Sequence, residues 1–215
     1  MRHIERLPEP DILKNKGKQW LEKFLESNKP RPDNKKYAHK DIVATLEDMS
    51  QTKCFYCECS LKDEPKEVDH HIEVSIDKSG AFKWDNLYLS CPDCNDKLNH
   101  NTIAIEDALD PIVDSDEEIK KNIYYEEESI FERNGSTKGR NTIKKYKLSS
   151  TIQDNKRRKH LQKLYNTVIK CLEKGGRAAL SEEDKEAFRR YANNSSPYSY
   201  MCECYLKKHF PEVLN

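Results

Sequence analysis

Two Cys-x-x-Cys pairs, Cys54-Phe55-Tyr56-Cys57 and Cys91-Pro92-Asp93-Cys94, have 33 residues between them in a chain of 215. Each pair can close a tight knuckle that presents two thiolates to one tetrahedral zinc ion. Two knuckles on one ion fasten the ends of the intervening segment, which suits a chain that is only 35% hydrophobic, with a mean hydropathy of −1.00. A four-thiolate site is closed to other ligands, so its zinc is structural and contributes folding free energy where an apolar core is thin. Structural zinc at Cys54, Cys57, Cys91 and Cys94 is therefore expected; the alternatives are reduced buried thiols or two independent redox pairs. The separation exceeds that of the commonest zinc ribbons and predicts a functional loop between the knuckles. Cys59 falls just outside the first knuckle and is expected to be a bystander. Cys202 and Cys204, with Cys171 and His209, have one residue between thiols, a poor zinc geometry, and read as buried thiols.

The first twenty residues, MRHIERLPEPDILKNKGKQW, hold no apolar run of the kind that precedes a cleavage site, and no stretch is apolar for long enough to span a bilayer. A cytoplasmic protein with no membrane association is expected, and there eight cysteines are thiols or ligands rather than disulfides. Lys plus Arg equals Asp plus Glu at 38 each. Proteins that grip nucleic acid unaided usually carry a basic excess, so any such grip here needs a local patch or a second protein.

Three regions follow from the pattern. Residues 1–50 form an N-terminal helical arm expected to bind a partner: an amphipathic helix over 11–27 capped by Asp11, a linker NKPRPDNKK, and a helix in HKDIVATLEDMS. Residues 51–105 are the Cys- and His-rich core. Residues 106–215 run from an acidic block to a basic one, with a β-hairpin turning at Asn134-Gly135. Helices follow over 155–174 and 181–193, the second with a capping box of Ser181 and Asp184, and a short one near 199–209. This region is expected to support the core or to contact partners or nucleic acid. The fold class is α+β, a mostly helical chain around a central ββα unit.

The loop between the knuckles carries the chemistry. EVDHHIEV predicts a strand around Asp69-His70-His71, Ser79-Gly80 a turn, Leu87-Tyr88-Leu89 a second strand, and Asn95 the start of a helix. Phosphodiester hydrolysis needs a base to deprotonate water and an electrophile to neutralise charge on the leaving oxygen. A neutral histidine serves the first need, and a hard divalent ion held by a carboxylate and an amide carbonyl serves the second. Asp69 and Asn95 are the expected ligands and His70 the base, with Asn86 free to tie down the loop through backbone hydrogen bonds. Successive strand residues face opposite ways, so His71 is expected on the other side, toward the core, the zinc or a partner. Lys97 and Asn99, placed on the predicted helix, are candidates to contact phosphate or support the ion, or simply form an exposed face. Trp84 and Tyr56 read as packing residues. Lys156-Arg157-Arg158-Lys159 reads as a nucleic-acid contact, a partner contact or a solvated helix face.

From Cys54 to Asn95 the chain resembles the HNH endonucleases, whose ββα-metal fold is often stapled by two Cys-x-x-Cys pairs. Asp69-His70, Asn86 and Asn95 match that family's metal-and-base pair, loop-stabilising Asn and helix ligand in order and in approximate spacing. The resemblance implies Mg²⁺ or Mn²⁺ at the catalytic site, nucleic acid as substrate, and a product with a 5′ phosphate. Arg2-x-Ile4 with Pro10, Cys-Phe-Tyr-Cys-Glu, and Trp84-Asp85-Asn86-Leu87-x-Leu89-Ser90-Cys91 with Cys94-Asn95 are similar to a narrower subgroup. Its members are HNH proteins encoded beside an ABC/SMC-like ATPase in Septu-type and some retron-type antiphage systems. The resemblance thus implies DNA cleavage within a complex with such an ATPase. RNA cleavage, and a non-catalytic zinc module that binds nucleic acid or protein, are the alternatives. The chain departs from the subgroup at His71-Ile72-Glu73-Val74, where relatives carry an aromatic followed by Arg-Pro-Lys.

Overall fold

Pro10 has no N–H to donate and a φ of −62°, so a helix can start directly behind it. In the computed structural model, which describes residues 1–173 and 175–214, α1 spans Asp11–Glu26. Asp11 is its first helical residue rather than its cap, placing a carboxylate at the positive end of the helix dipole. Leu13 and Phe24 of α1 are buried, and the Trp20 and Phe24 rings meet Phe82 at 5.8 and 6.5 Å. The expected linker contains one helical turn, α2 (Asn34–Tyr37), because the Asp33 carboxylate accepts from the Lys35 N–H at 3.1 Å. α3 (Lys40–Ser50) follows and buries Ile42 and Leu46.

The core unit is a two-stranded antiparallel ribbon. β1 (Glu67–His70) pairs with β2 (Leu87–Ser90), with Glu67 opposite Ser90 and His70 opposite Leu87. All four residues of β2 are buried, as a strand covered on both faces requires. α4 (Pro92–Asn95) begins inside the second knuckle, since Pro92 suits the first helical position, and Asn95 ends the helix instead of opening it. Lys97 and Asn99 consequently lie beyond the helix.

The C-terminal region starts with α5 (Asp116–Asn122), capped by Ser115, and continues into a hairpin of β3 (Ile123–Glu126) and β4 (Ser129–Glu132). Its turn is Glu127-Glu128, with Glu127 at φ 52°, not Asn134-Gly135. The latter pair, at φ 52° and 71°, turns the chain into a helix not foreseen, α6 (Thr137–Lys145). Only Ile143 of that helix is a large apolar residue, so its sequence lacks the apolar stripe that marks a core-facing helix. What secures it is the Ser136 cap on the Gly139 N–H at 2.9 Å and close packing on α5 and the hairpin. A Cβ on Gly139 would stand 2.1 Å from the Asn122 carbonyl oxygen, which only glycine avoids.

α7 (Thr151–Leu172) starts four residues before the expected 155, and residue 174 of the expected range lies outside the described residues. α8 (Glu182–Ala192) opens on the Ser181–Asp184 capping box, and α9 (Ser199–His209) completes the chain of helices. Buried residues from all three regions, among them Leu13, Ile42, Phe55, Leu89, Leu161, Phe188 and Met201, join one hydrophobic cluster. The N-terminal segment is bound across the core: the Arg6 guanidinium donates to the carbonyls of Trp84, Asp85 and Leu87 at 2.9–3.1 Å. No helix among the described residues is long and apolar enough to cross a membrane.

Candidate active site

Glu58 adopts a left-handed conformation at φ 63°, which turns the chain back after Cys57 and lets the Cys54 N–H donate to the Cys59 carbonyl at 2.9 Å. That turn carries Cys59 inward. The sulfurs of Cys54, Cys57, Cys59 and Cys91 lie within 4.8 Å of one another and all four residues are buried, so Cys59 sits in the cluster rather than beside it. Nothing in the Cys-x-x-Cys spacing signals this, because it depends on one αL residue. Cys94 is buried as well, and the Gln153 amide, from the first turn of α7, donates to Cys94 Sγ at 3.7 Å and to Cys91 Sγ at 3.9 Å. Cys57 and Cys91 sulfurs are 3.8 Å apart. A disulfide needs about 2.05 Å, whereas two thiolates at about 2.3 Å from one tetrahedral zinc stand about 3.8 Å apart. The donor set fits zinc.

Asp69 is 5% exposed, and both of its hydrogen bonds fall on Oδ2. The Tyr56 hydroxyl donates to it at 2.6 Å and the Lys97 ammonium makes the second bond. Oδ1 has no donor among the described residues. Burial, then the Asp69 charge, pushes the Tyr56 phenol well above the ordinary tyrosine value, so it remains a donor. Lys97 also donates to the His70 carbonyl at 2.8 Å, so the cation at this spot comes from the far side of the second knuckle and not from the residues following His70.

Asn95 lies on α4, which packs against β1, but its amide nitrogen donates to the Glu67 carboxylate. Glu67 is two residues before Asp69 and on the same face of the strand. Asp69 and Asn95 therefore occupy facing elements without touching, and the Asn95 carbonyl oxygen, its ligand-competent end, is left without a donor among the described residues. Two such oxygens, on Asp69 and Asn95, suit a hard divalent ion.

His70 points the other way. Its Nε2 is 2.9 Å from the Ala81 carbonyl oxygen, and its ring stands 4.6 Å from that of Tyr37. A carbonyl only accepts, so Nε2 carries the proton and Nδ1 the lone pair. Burial holds the His70 pKa below the ordinary 6.5, partly opposed by the Ala81 carbonyl and by Asp69, which leaves a neutral imidazole at neutral pH. Asn86 closes the loop around it: its Oδ1 accepts from the Ile72 N–H at 2.7 Å, and its Nδ2 donates to the Ile72 and Gly80 carbonyls at 3.0 and 3.1 Å. The bracing rests on side-chain and backbone bonds that share one residue, so it needs no helix or sheet to hold the loop.

His71 is 7% exposed and faces the core. Its ring stacks on Tyr88 at 4.2 Å, its Nδ1 lies 3.3 Å from the Tyr56 hydroxyl, and its Nε2 lies 3.3 Å from Asp110. Trp84 packs as expected, with Nε1–H donating to the Leu7 carbonyl at 2.8 Å. Tyr56 packs too, but its hydroxyl reaches the site, a role its sequence position does not disclose.

Residues 54–101 match the family model described as HNH endonuclease. Over 117 residues the chain is 32% identical to Septu protein PtuB from Bacillus thuringiensis, a stretch that covers 54% of this chain and 44% of that protein. The chain thus spans less than half the length of this curated relative. The stapled loop that holds Asp69, His70, Asn86 and Asn95 falls inside the stretch that matches the HNH endonuclease model, in a chain that resembles Septu protein PtuB.

Proposed function

We propose that the chain is a metal-dependent HNH endonuclease that hydrolyses phosphodiester bonds of nucleic acid, DNA in the favoured reading. The observation that carries this is the opposition of two groups at the end of β1. His70 presents a lone pair on one face and Asp69 an open carboxylate oxygen on the other. In-line displacement needs the attacking water and the leaving oxygen on opposite sides of phosphorus. A phosphodiester laid across this strand end would meet both. His70 Nδ1 takes the proton of the attacking water, while the Nε2–H bond to Ala81 keeps the ring in the required tautomer. Asp69 and Asn95 would hold Mg²⁺ or Mn²⁺, which when bound supplies charge neutralisation at the leaving 3′ oxygen. Asn86 keeps the loop after His70 from moving the base. Zinc at Cys54, Cys57, Cys91 and Cys94 is structural, and the Gln153 amide supports Cys91 and Cys94 from α7.

The likeness to Septu protein PtuB supports a role in antiphage defence in the cytoplasm, with an ABC/SMC-like ATPase as partner. The absence of a basic excess supports delivery by that partner. In this reading residues 51–105 are the nuclease core, 1–50 the partner-binding part and 106–215 the support. Labelled duplex DNA and structured RNA, offered to the chain alone and with the ATPase encoded beside it, test the substrate class in Mg²⁺ and Mn²⁺. Cleavage of DNA leaving 5′ phosphates is expected. Cleavage confined to RNA would replace the substrate, and no cleavage in any pairing would favour a zinc-stabilised binding module.

A further inference from the structure

A second layer of side chains stands behind Asp69. Asp69 and His71 are two residues apart on the same face of the chain, and the Tyr56 side chain from the first knuckle inserts between them. Tyr56 is fully buried and its ring lies 4.0 Å from Tyr146 at an interplanar angle of 15°, so the phenol cannot swing aside. Its single proton goes to Asp69 Oδ2, at 2.6 Å, and His71 Nδ1 lies 3.3 Å from the Tyr56 hydroxyl oxygen itself. His71 is itself fixed at three points. Its backbone N–H donates to the Asn86 carbonyl at 2.9 Å, its ring lies 8° from parallel with Tyr88, and its Nε2 faces Asp110. Asp110 in turn accepts from the Tyr88 hydroxyl at 2.9 Å and the Ile112 N–H at 2.8 Å.

We propose that Tyr56 and His71 are positioning residues for the Asp69 carboxylate: His71, braced by Asp110, holds the Tyr56 hydroxyl, and that hydroxyl fixes the rotation of the carboxylate so that Oδ1 faces the ion. The inference rests on Asp69 being a ligand of the catalytic ion. Its physical content concerns Lys97. With Tyr56 in place, Lys97 shares Oδ2 and leaves Oδ1 open. Without it, the carboxylate can turn until the ammonium engages both oxygens and competes with the ion. Partners that orient a metal-binding carboxylate typically contribute about 10–100-fold in affinity. The device also accounts for the second histidine of the Asp-His-His run, which faces away from the base.

The test is Mn²⁺ binding to the zinc-loaded full-length chain, followed by the electron paramagnetic resonance of free Mn²⁺, with zinc content and circular dichroism as fold controls. Tyr56→Phe keeps the stacked ring and removes the hydroxyl; His71→Phe keeps a stacked ring and removes both polar edges. Tyr56→Phe should raise the Mn²⁺ Kd about tenfold or more. His71→Phe should raise it several-fold, His71→Gln should recover part of that loss, and the double variant should be no worse than Tyr56→Phe alone. A double variant whose losses multiply would show that His71 does not act through Tyr56 and would overturn the proposal. So would an unchanged Kd in Tyr56→Phe while Asp69→Asn abolishes binding. If Asp69→Asn binds Mn²⁺ as the parent does, the ligand reading beneath the proposal fails instead.

Discussion

His70→Ala should lose nucleic-acid cleavage by about 10²–10⁴-fold, the range contributed by a positioned general base and equal to roughly 3–5 kcal/mol of barrier. The loss should fall on kcat, since the imidazole touches the attacking water and not the bulk of the substrate. Zinc content and the thermal transition should stay near those of the parent, because His70 is only partly buried and its ring makes one hydrogen bond, to Ala81, with Tyr37 alongside. The parent's pH profile provides a second readout. The base acts when neutral, so the rate rises with pH through the His70 pKa and then levels. Burial lowers that pKa below 6.5, which puts the acid limb of kcat/KM below pH 6.5 and the plateau at neutrality. A limb centred well above pH 7 would assign the titration to another group.

Removing zinc should have the largest effect on the fold. Structural zinc sites in small domains contribute about 10–16 kcal/mol, as much as or more than the whole stability of a typical domain, about 5–15 kcal/mol. A strong chelator or Cys91→Ser should therefore unfold the 51–105 unit. Loss of protection of the β1–β2 backbone amides in hydrogen exchange would report it. The five thiols make the ligand set itself testable. Cys94→Ser should behave as Cys91→Ser does, with zinc per chain falling below one, whereas Cys59→Ser should keep its zinc. The reverse order would give Cys59 the fourth position, as its closeness to Cys54, Cys57 and Cys91 permits.

How much of this could be read from residues alone depended on how local each signal is. The knuckles, the two short strands, the capping box of α8 and the order Asp69-His70, Asn86, Asn95 are set by neighbours in sequence, and they are legible there. α6 was hidden because Thr142 and Lys145 are buried in it while Ile143 is its sole large apolar residue. The hairpin turn was misplaced because Asn134-Gly135 has the chemistry of a two-residue hairpin loop, yet the strands pair only with Glu127-Glu128 between them. Pro92 moved the start of α4 forward and left Lys97 outside it. At the site, strand alternation separates Asp69 from His70 just as it separates His70 from His71. The contributions of Tyr56, Gln153 and Lys97 come from chain segments 13 to 62 residues away from the groups they serve. Such contacts leave no local trace.

The most direct test of the account is the rate of cleavage of a labelled duplex against Mn²⁺ concentration, for the parent and Asp69→Asn, each with the proposed ATPase partner. The account predicts no cleavage in chelator, a saturable rise with Mn²⁺ for the parent, and no recovery of Asp69→Asn at any concentration. Cleavage that persists in chelator, or an Asp69→Asn curve that overlays the parent's, would contradict it.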